Sequence, residues 1–308
     1  MKHLFIVNPA AGKGKSVELI PKIKEYFLHK NEEYFIEITE RPGHASEISR
    51  NYSSRDQYRI YSVGGDGTLN EVLSGMAGSS SSLAVIPAGS GNDFVRSIVK
   101  DFTSEDILKR TIEGNETLID IGKANGRHFL NISSAGLDAE IVHHAANLKK
   151  LPLVSGSGAY ILAALYTVIF KLKPKKMDLE IDGISHKIDS YLVAIANGKY
   201  YGGGILPAPD AILDDGKFDI CVASKMNYFK ALAFFPKFIK GKHTHLEEIN
   251  FYRGAKIKIK CADGIMSNID GEVGIVNELT FEIIPKGIRM VFPRKAEIES
   301  RHILSVIS

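Results

Sequence analysis

Short apolar runs alternate with helical periodicity over the first third of the chain. Four runs rich in β-branched and aromatic residues predict buried strands: Leu4–Val7, Tyr34–Thr39, Arg59–Val63 and Leu83–Pro87. Between them, apolar residues recur about every 3.6 positions and predict helices over Val17–Leu28, Ala45–Tyr52 and Leu69–Gly75. This alternation predicts a doubly wound parallel sheet that binds ligands at the carboxyl ends of its strands.

Near residue 115 the alternation gives way to successive strands. They are predicted at Thr117–Ala124, His128–Ser133, Met177–Ile181, His186–Ala196, Lys217–Ala223, Ala255–Cys261, Glu278–Ile284 and Ile288–Phe292. Asn125-Gly126 and Asp182-Gly183 predict type I′ hairpins, and Pro285-Lys286-Gly287 joins the last two strands. Helices are expected at Gly158–Leu172 and Tyr228–Ile239. The pattern predicts a β-sandwich or barrel after the α/β domain, with the active site in the cleft between them.

Composition narrows the class of protein. The 308 residues are 44% hydrophobic and 24% charged, which suits two globular domains. A net charge of +3 gives no strong electrostatic case for nucleic acid. Cys221 and Cys261 form no disulfide framework, and the N-terminus lacks the features of a signal peptide, so a cytoplasmic protein is expected. The longest apolar run, Ala159–Phe170, is shorter than the roughly 20 residues that cross a bilayer.

The first glycine-containing loop, Asn8–Ser16, matches neither common phosphate-binding template. Pro9 stands where the Walker A pattern needs its first glycine, and Val17 where the dinucleotide pattern needs its third. The loop can still bring backbone N–H groups and Lys13 or Lys15 toward a nucleotide. A plain tight turn is nearly as good an interpretation of these residues.

Two further glycine loops follow the third and fourth predicted strands. Gly64-Gly65-Asp66-Gly67-Thr68 precedes a helix whose free N–H groups and positive dipole end favour a phosphate. An aspartate beside phosphates calls for a cation, which makes Asp66 a candidate Mg²⁺ ligand, although an N-cap without metal is the alternative. Ser90 and Asp93, in the loop after the next strand, add a phosphate donor and a second acid.

Three motifs together resemble the catalytic family of diacylglycerol kinases, which includes sphingosine and ceramide kinases and soluble bacterial lipid kinases and is related to NAD kinase. They are Gly64–Thr68 with Asn70-Glu71, then Pro87–Phe94, and finally Asn268–Glu272. The resemblance covers essentially the whole chain. It implies a Rossmann-like domain of residues 1–124, rejoined by a C-terminal segment of about 294–308, and a β-sandwich domain of residues 125–293 that takes the lipid substrate.

The resemblance also implies the activity and its residues. The expected reaction is Mg²⁺-dependent transfer of the ATP γ-phosphate to a lipid hydroxyl, with diacylglycerol preferred as acceptor. The ATP site would be lined by Asn8, Pro9, Ala10, Ala11, Gly12, Thr39, Gly64, Gly65, Asp66, Gly67, Thr68, Leu69, Asn70 and Ser90. Asp66, Asp93 and Asp120 would organise the catalytic Mg²⁺. From its strand position alone, Asp120 would be an outward-facing residue.

A second metal site is implied by Pro207–Asp219. Asp215 would supply a carboxylate and Ile212 and Lys217 their backbone carbonyls to a structural Mg²⁺, with Asp214 as a rival to Asp215. An aspartate-rich turn without metal is the competing interpretation. The resemblance also implies Asp270 as the general base and Glu272 as its partner, and some members of the family would place the base on the glutamate. By spacing alone, this segment is only a turn.

Contact with a membrane is suggested by apolar stretches beside lysines, at 159–176 and 229–243. Internal packing of both stretches with solvated lysines is the preferred interpretation for either alone. The expected location is the cytoplasm, and peripheral contact at the inner membrane face stays open. The alternatives for function are a kinase acting on phosphatidylglycerol, a sphingoid base, an isoprenoid alcohol or NAD, and an inactive nucleotide-binding regulator. The oligomeric state stays open, a homodimer included.

Overall fold

The computed structural model describes residues 1–99, 104–137, 139, 173–269 and 272–295. The strands are β1 Lys2–Val7, β2 Glu33–Ile38, β3 Tyr58–Gly64, β4 Ser82–Pro87, β5 Asn115–Ala124, β6 Arg127–Phe129, β7 Ile132–Gly136, β8 Lys175–Ile181, β9 Ile184–Ala196, β10 Phe218–Ser224, β11 Ile249–Gly254, β12 Lys256–Ile269 and β13 Glu272–Phe292. The helices are α1 Ile20–Phe27, α2 His44–Ser53, α3 Asp66–Met76, α4 Asp93–Ile98, α5 Ser104–Ile112 and α6 Tyr228–Ile239.

The N-terminal part is a parallel sheet in the order β4-β3-β1-β2. The chain moves from β1 outward to β2, and from β3 outward to β4 in the opposite direction. The carboxyl ends of β1 and β3 therefore flank a topological switch point, where open α/β sheets bind their ligands. The predicted doubly wound domain is confirmed.

Alternation along β1 shows how both faces of this sheet are covered. Leu4 and Ile6 face a core that includes residues of α2 and α3, whereas Phe5 and Val7 face a core with residues of α1 and α5. All four side chains are fully buried. A strand covered on both faces is apolar at consecutive positions, which is the pattern seen in the sequence.

Antiparallel pairing dominates the C-terminal part. Strands β8 to β12 and the first half of β13 enclose a second core that includes Phe218, Ile259 and Leu279. Both predicted hairpins are present, since Asn125 and Gly126 have φ of 44° and 88° and Asp182 and Gly183 have φ of 48° and 88°. Positive φ at both turn positions is the signature of a type I′ turn. The predicted β-sandwich is confirmed.

One strand joins the two parts. The sequence predicted two strands separated at Pro285–Gly287, and this prediction was wrong, because β13 continues through that segment with a register shift between Ile284 and Ile288. At its far end β13 pairs in parallel with β4 and antiparallel with β5. The Asp120 carboxylate accepts a hydrogen bond from the Lys286 N–H at 2.7 Å and so supports the irregular backbone there.

Two predictions fall wholly or partly outside the described residues. The predicted helix at 158–172 lies outside them, as do residues 296–308 of the C-terminal segment. Arg294, at the start of that segment, exchanges hydrogen bonds with Arg110 of α5 through Arg294 N to Arg110 O and Arg110 Nε to Arg294 O. The domain boundaries at 124 and 294 stay predictions. Among the described helices, none is long and apolar enough to cross a membrane.

Candidate active site

The loops after β1, β3 and β4 press against one another at the sheet edge. A Cβ on Gly12 would lie 2.1 Å from the carbonyl oxygen of Ala88, and one on Gly89 would lie 2.5 Å from the Cα of Gly65. Gly12 also has a φ of 59°. Side chains are excluded at these positions, so the backbone itself forms the floor of the site.

A cleft of about 580 Å³ opens above these loops. One wall comes from the loops and the start of α3, and the opposite wall comes from strands and loops of the C-terminal part. The cleft is lined by Asn8, Ala10, Ala11, Gly12, Gly65, Asp66, Gly67, Thr68, Asn70, Glu71, Gly89, Ser90, Gly91, Asp93, Asn131, Ile132, Tyr201, Gly202 and Asn268. Both parts of the chain therefore contribute to one site.

Helix α3 directs its N-terminus into this cleft. Gly65 occupies the N-cap position, where no described side chain caps the helix. The first-turn N–H groups and the positive end of the dipole are thus available to an anion. Asn8 braces the turn, because its Nδ2 donates to Thr68 Oγ1 at 2.9 Å while its Oδ1 accepts from Ala10 N at 3.0 Å. This arrangement suits a phosphate group.

Asp66 links the two later glycine loops. Its carboxylate accepts hydrogen bonds from the backbone N–H groups of Asp93 at 3.0 Å and Phe94 at 3.1 Å, at the start of α4. The carboxylate therefore holds the neighbouring helix α4, although Asp66 itself is the first residue of α3. A Cβ on Gly91 would lie 2.9 Å from Asp66 Oδ2, so that glycine is also needed for the contact.

Asp93 is the buried acid of the site. It is 5% exposed, and its Oδ2 accepts a hydrogen bond from Gly203 N at 2.7 Å. Its Oδ1 is buried with no hydrogen-bond partner among the described residues and lies 3.7 Å from Arg96 Nε. Burial, with the nearby charge of Asp66, raises the pKa of Asp93 to about 6. Two adjacent carboxylates repel each other unless a positive charge lies nearby, and Arg96 supplies one beside Asp93.

Four of the residues assigned to ATP do not line the cleft. Leu69 is a core residue of α3, 1% exposed, and Thr39 is buried with its N–H bonded to Val7 O. The carbonyl oxygen of Gly64 accepts hydrogen bonds from Ala88 N and Gly89 N. Gly64 therefore supports the backbone that forms the floor of the cleft. Pro9 lies between two lining residues.

Asp120 lies outside the set that lines the cleft. It is 1% exposed, and its two oxygens accept hydrogen bonds of 2.7 Å from Gly216 N and Lys286 N. Its backbone N–H donates to Leu213 O at 2.7 Å. Asp120 therefore ties β5 to the 210–219 loop and to the irregular segment of β13, and among the described residues it does not form a metal-binding group with Asp66 and Asp93.

In the 210–219 loop, Asp215 is paired with an arginine. Its Oδ1 accepts from Lys217 N at 3.1 Å, and its Oδ2 bonds to Arg253, whose Nε also lies 3.3 Å from Asp219. Ile212 and Asp214 are exposed. Among the residues that the structure describes, no three His, Cys, Asp or Glu side chains gather in a metal-binding cluster.

Strand β12 ends at Ile269 and β13 begins at Glu272, on either side of the predicted base. Asp270 is outside the described residues, and Glu272 is described only as the first residue of β13. Asn268, two residues before Asp270, lines the cleft and is 4% exposed. Strand β12 therefore reaches the cleft at Asn268.

The sequence analysis did not place Asn131, Ile132, Tyr201 or Gly202 at the site, whereas Asn268 belongs to the third motif of the resemblance. Gly202, Gly203 and Gly204 all have positive φ, and Gly203 N donates a hydrogen bond to Asp93 Oδ2. A glycine run beside two tyrosines was the available signal. Asn131 and Ile132 carry no motif and could be placed only by the fold.

These features define a nucleotide-binding α/β domain joined to a β-sandwich, with one cleft between them. The family model of the diacylglycerol kinase catalytic domain matches residues 2–124, and that of the YegS C-terminal NAD kinase beta sandwich-like domain matches residues 131–292. A diacylglycerol kinase of Bacillus subtilis (strain 168) is 30% identical over 301 residues, covering 95% of this chain and 97% of that protein.

A further curated relative and a solved structure also match most of the chain. A diacylglycerol kinase of Staphylococcus carnosus (strain TM300) is 28% identical over 277 residues, which is 88% of each chain. A crystal structure from Bacillus anthracis str. Sterne, described as a candidate diacylglycerol kinase, has a TM-score of 0.73 at 26% identity and covers 94% of this chain and 97% of that one. The chain belongs to the diacylglycerol kinase family and is a lipid kinase of that superfamily.

Proposed function

We propose that this protein transfers the γ-phosphate of ATP to the hydroxyl of diacylglycerol, with Mg²⁺ as cofactor, and so forms phosphatidic acid. The observation that carries the proposal is the joint placement of Asp66 and Asp93 beside the free N-terminus of α3. That pairing offers a phosphate site and a cation site in one cleft. The names of the relatives as diacylglycerol kinases support the choice of acceptor.

On the nucleotide side, the backbone supplies most of the binding groups. The N–H groups of the first turn of α3 point to phosphate oxygens, and Ser90 adds a hydroxyl donor at the same edge. Asn8 holds the turn in place through Thr68. Because phosphoryl transfer depends mainly on positioning and charge neutralisation, a rigid glycine floor suits it.

The carboxylates of Asp66 and Asp93 fit a magnesium ion. Both are hard oxygen ligands, and Asp93 Oδ1 accepts no hydrogen bond from a described residue, with Arg96 Nε 3.7 Å away. When bound, Mg²⁺ would neutralise charge on the transferred phosphate. Asp66 fixes the position of Asp93 through the backbone of α4, and Gly203 fixes its second oxygen. A structural Mg²⁺ at Asp215 with the carbonyls of Ile212 and Lys217 is a second proposed site.

Asp270 would accept the proton of the attacking hydroxyl, with Glu272 as its partner. The cleft-lining position of Asn268 supports this placement of the β12–β13 hairpin. Asp120 would act at a distance, by holding the 210–219 loop and β13 in place.

The test is a mixed-micelle assay with γ-labelled ATP and one acceptor at a time. We expect labelled phosphatidic acid from diacylglycerol, and little product from phosphatidylglycerol, a sphingoid base, an isoprenoid alcohol or NAD. If another acceptor gives more product than diacylglycerol, the protein is a kinase of the same superfamily with that acceptor as its substrate. ATP binding without turnover on any acceptor would show a nucleotide-binding regulator and contradict the proposal.

A further inference from the structure

Helix α6 has two faces of different character. Ala231, Phe234, Phe235 and Phe238 are buried, and the last two turns pack on β9 and β10. The opposite face, called here the α6 outer face, consists of Phe229, Ala233, Pro236, Lys237 and Lys240, all exposed. Their spacing of three and four residues places them in one row along the helix. Internal packing accounts for the first face only.

The apolar part of the α6 outer face is open to solvent. Phe229 is 81% exposed, and the neighbouring Tyr228, at 41%, lies with its ring 5.9 Å from that of Phe229. A single exposed apolar residue needs no explanation. Here, however, Ala233 and Pro236 continue the row from Phe229, so the first three positions of the face are all without polar groups.

Helix α6 itself carries charge of one sign, and the nearest acids, Glu247 and Glu248, line the pocket beside Lys230 and Lys237. Helix α6 contains no Asp or Glu, and Lys225, Lys230, Lys237, Lys240 and Lys242 lie on or beside it. Lys230 pairs with Glu248, and Lys225 lies 3.8 Å from Asp189. Among the described residues, Lys237, Lys240 and Lys242 have no acidic partner within 4.0 Å. Lysines near the C-terminus of a helix interact favourably with the negative end of its dipole. That interaction does not explain the apolar row beside them.

The α6 outer face lies close to the active site along the chain. Leu206 N donates to Ile239 O at the C-terminal end of α6, at 3.3 Å. Three residues earlier, Gly203 N donates to Asp93 Oδ2, and Tyr201 and Gly202 line the cleft. Three residues span at most about 11 Å. The basic end of α6 is therefore one short segment from the carboxylates of the site.

We propose that the α6 outer face is the surface by which the protein docks on an anionic lipid surface. Phe229, with Tyr228, enters the interfacial region while Lys237 and Lys240 approach the headgroups, which is how a basic amphipathic helix binds a membrane. The inference rests on the proposed function in one respect, that the acceptor is a lipid. It adds which surface meets the bilayer.

The absence of tryptophan from the sequence gives a direct test. F229W introduces a single indole on the face, and I184W places one at the exposed tip of the β8–β9 hairpin as a control. Each protein is mixed with vesicles of phosphatidylglycerol and phosphatidylcholine, or of phosphatidylcholine alone, without ATP or diacylglycerol. We expect F229W to show exposed-indole emission in buffer and a blue shift, with quenching by brominated lipid, on anionic vesicles only. I184W should show neither.

Charge reversal tests the lysines. K237E/K240E in the F229W protein should weaken binding to anionic vesicles by about 30-fold or more, because loss of two lysines costs about 1 kcal/mol each and the glutamates add repulsion. K24E/K109E, on the exposed surfaces of α1 and α5, should leave binding unchanged. Equal loss in both double variants would show a general charge effect and overturn the assignment to α6.

Three further results would overturn the proposal: no blue shift of F229W on anionic vesicles, an equal shift in I184W, or an F229W indole already shielded in buffer. The last would show that another segment of the chain covers the α6 outer face. The vesicle experiment needs no turnover, so its outcome is independent of the micelle assay for lipid kinase activity. Failure of one therefore leaves the other standing.

Discussion

Asp66 Oδ2 accepts a hydrogen bond from the backbone N–H of Asp93 at 3.0 Å. This contact joins the end of β3 to the end of β4, and it sets two carboxylates at the same edge of the cleft. Because Asp66 also bonds Phe94 N, the start of α4 is fixed relative to α3. The account of the active site depends on this pairing.

Asp66→Asn should damage both chemistry and structure. The amide removes the charge, and it presents an NH₂ group to one of the two N–H donors, which should cost about 1–3 kcal/mol of stability. We expect turnover to fall by on the order of 10²-fold and the KM for Mg·ATP to rise. Steady-state kinetics and thermal unfolding measure the two effects. Asp263→Asn, at an exposed position, is the control, and equal effects in both variants would contradict this role.

Asp270→Asn should behave differently. Loss of a general base lowers kcat by on the order of 10² to 10⁴, whereas the loops that line the nucleotide side are unchanged. ATP affinity, measured by calorimetry, should therefore stay near the wild-type value. Near-normal turnover on diacylglycerol would place the base elsewhere, and a large fall in Glu272→Gln alone would assign it to the glutamate.

Arg253 and Mg²⁺ should compete for Asp215. The guanidinium already bonds the Asp215 carboxylate, so Arg253→Ala should increase the rise in Tm that Mg²⁺ produces, whereas Asp215→Ala should reduce it to the part contributed by Asp66 and Asp93. Asp215→Ala should also lower stability by about 1 kcal/mol through loss of the ion pair. Glu282→Ala, which removes an exposed acid near Lys256, is the control. If Tm, magnesium response and rate are all unchanged in Asp215→Ala, the loop is only a turn.

His3 should make stability depend on pH. Its side chain is 2% exposed, and burial lowers the pKa of His3 to about 4 from the ordinary 6.5. The folded state holds the neutral ring, so its contribution is complete above pH 6.5 and is lost as the pH falls toward 4. Between pH 6.5 and pH 4, the free energy of unfolding of His3→Gln should therefore fall less than that of the wild type, as measured by urea titration at each pH. His29→Gln, at an exposed position, should follow the wild-type curve; if His3→Gln does so too, His3 is not the group that titrates.

Much of the fold could be predicted from the local pattern of residues along the chain. The apolar runs at β1, β3 and β4 and the glycine loops after them gave the parallel sheet and its binding edge, because strand burial and turn chemistry are local properties. The Asn125-Gly126 and Asp182-Gly183 turns were found for the same reason.

What the sequence could not give was set by distant contacts. The irregular segment of β13 is supported by Asp120, which accepts a hydrogen bond from Lys286 N across 166 residues of sequence. The residues Pro285–Gly287 on their own predicted a turn between two strands. The pairing of Asp215 with Arg253 likewise joins residues 38 positions apart. Asn131 and Ile132 reach the cleft only because the sandwich packs over the α/β domain. None of these contacts has a periodic or motif signal.

The most direct test of the central claim compares wild type and Asp66→Asn in mixed micelles with γ-labelled ATP, Mg²⁺ and diacylglycerol. The account predicts labelled phosphatidic acid from the wild type, its loss on addition of EDTA and its recovery with excess Mg²⁺. It also predicts at most about a hundredth of the wild-type rate from Asp66→Asn. Transfer that persists in EDTA, or that is equally fast in Asp66→Asn, would contradict the assignment of the cleft as the site of magnesium-dependent phosphoryl transfer.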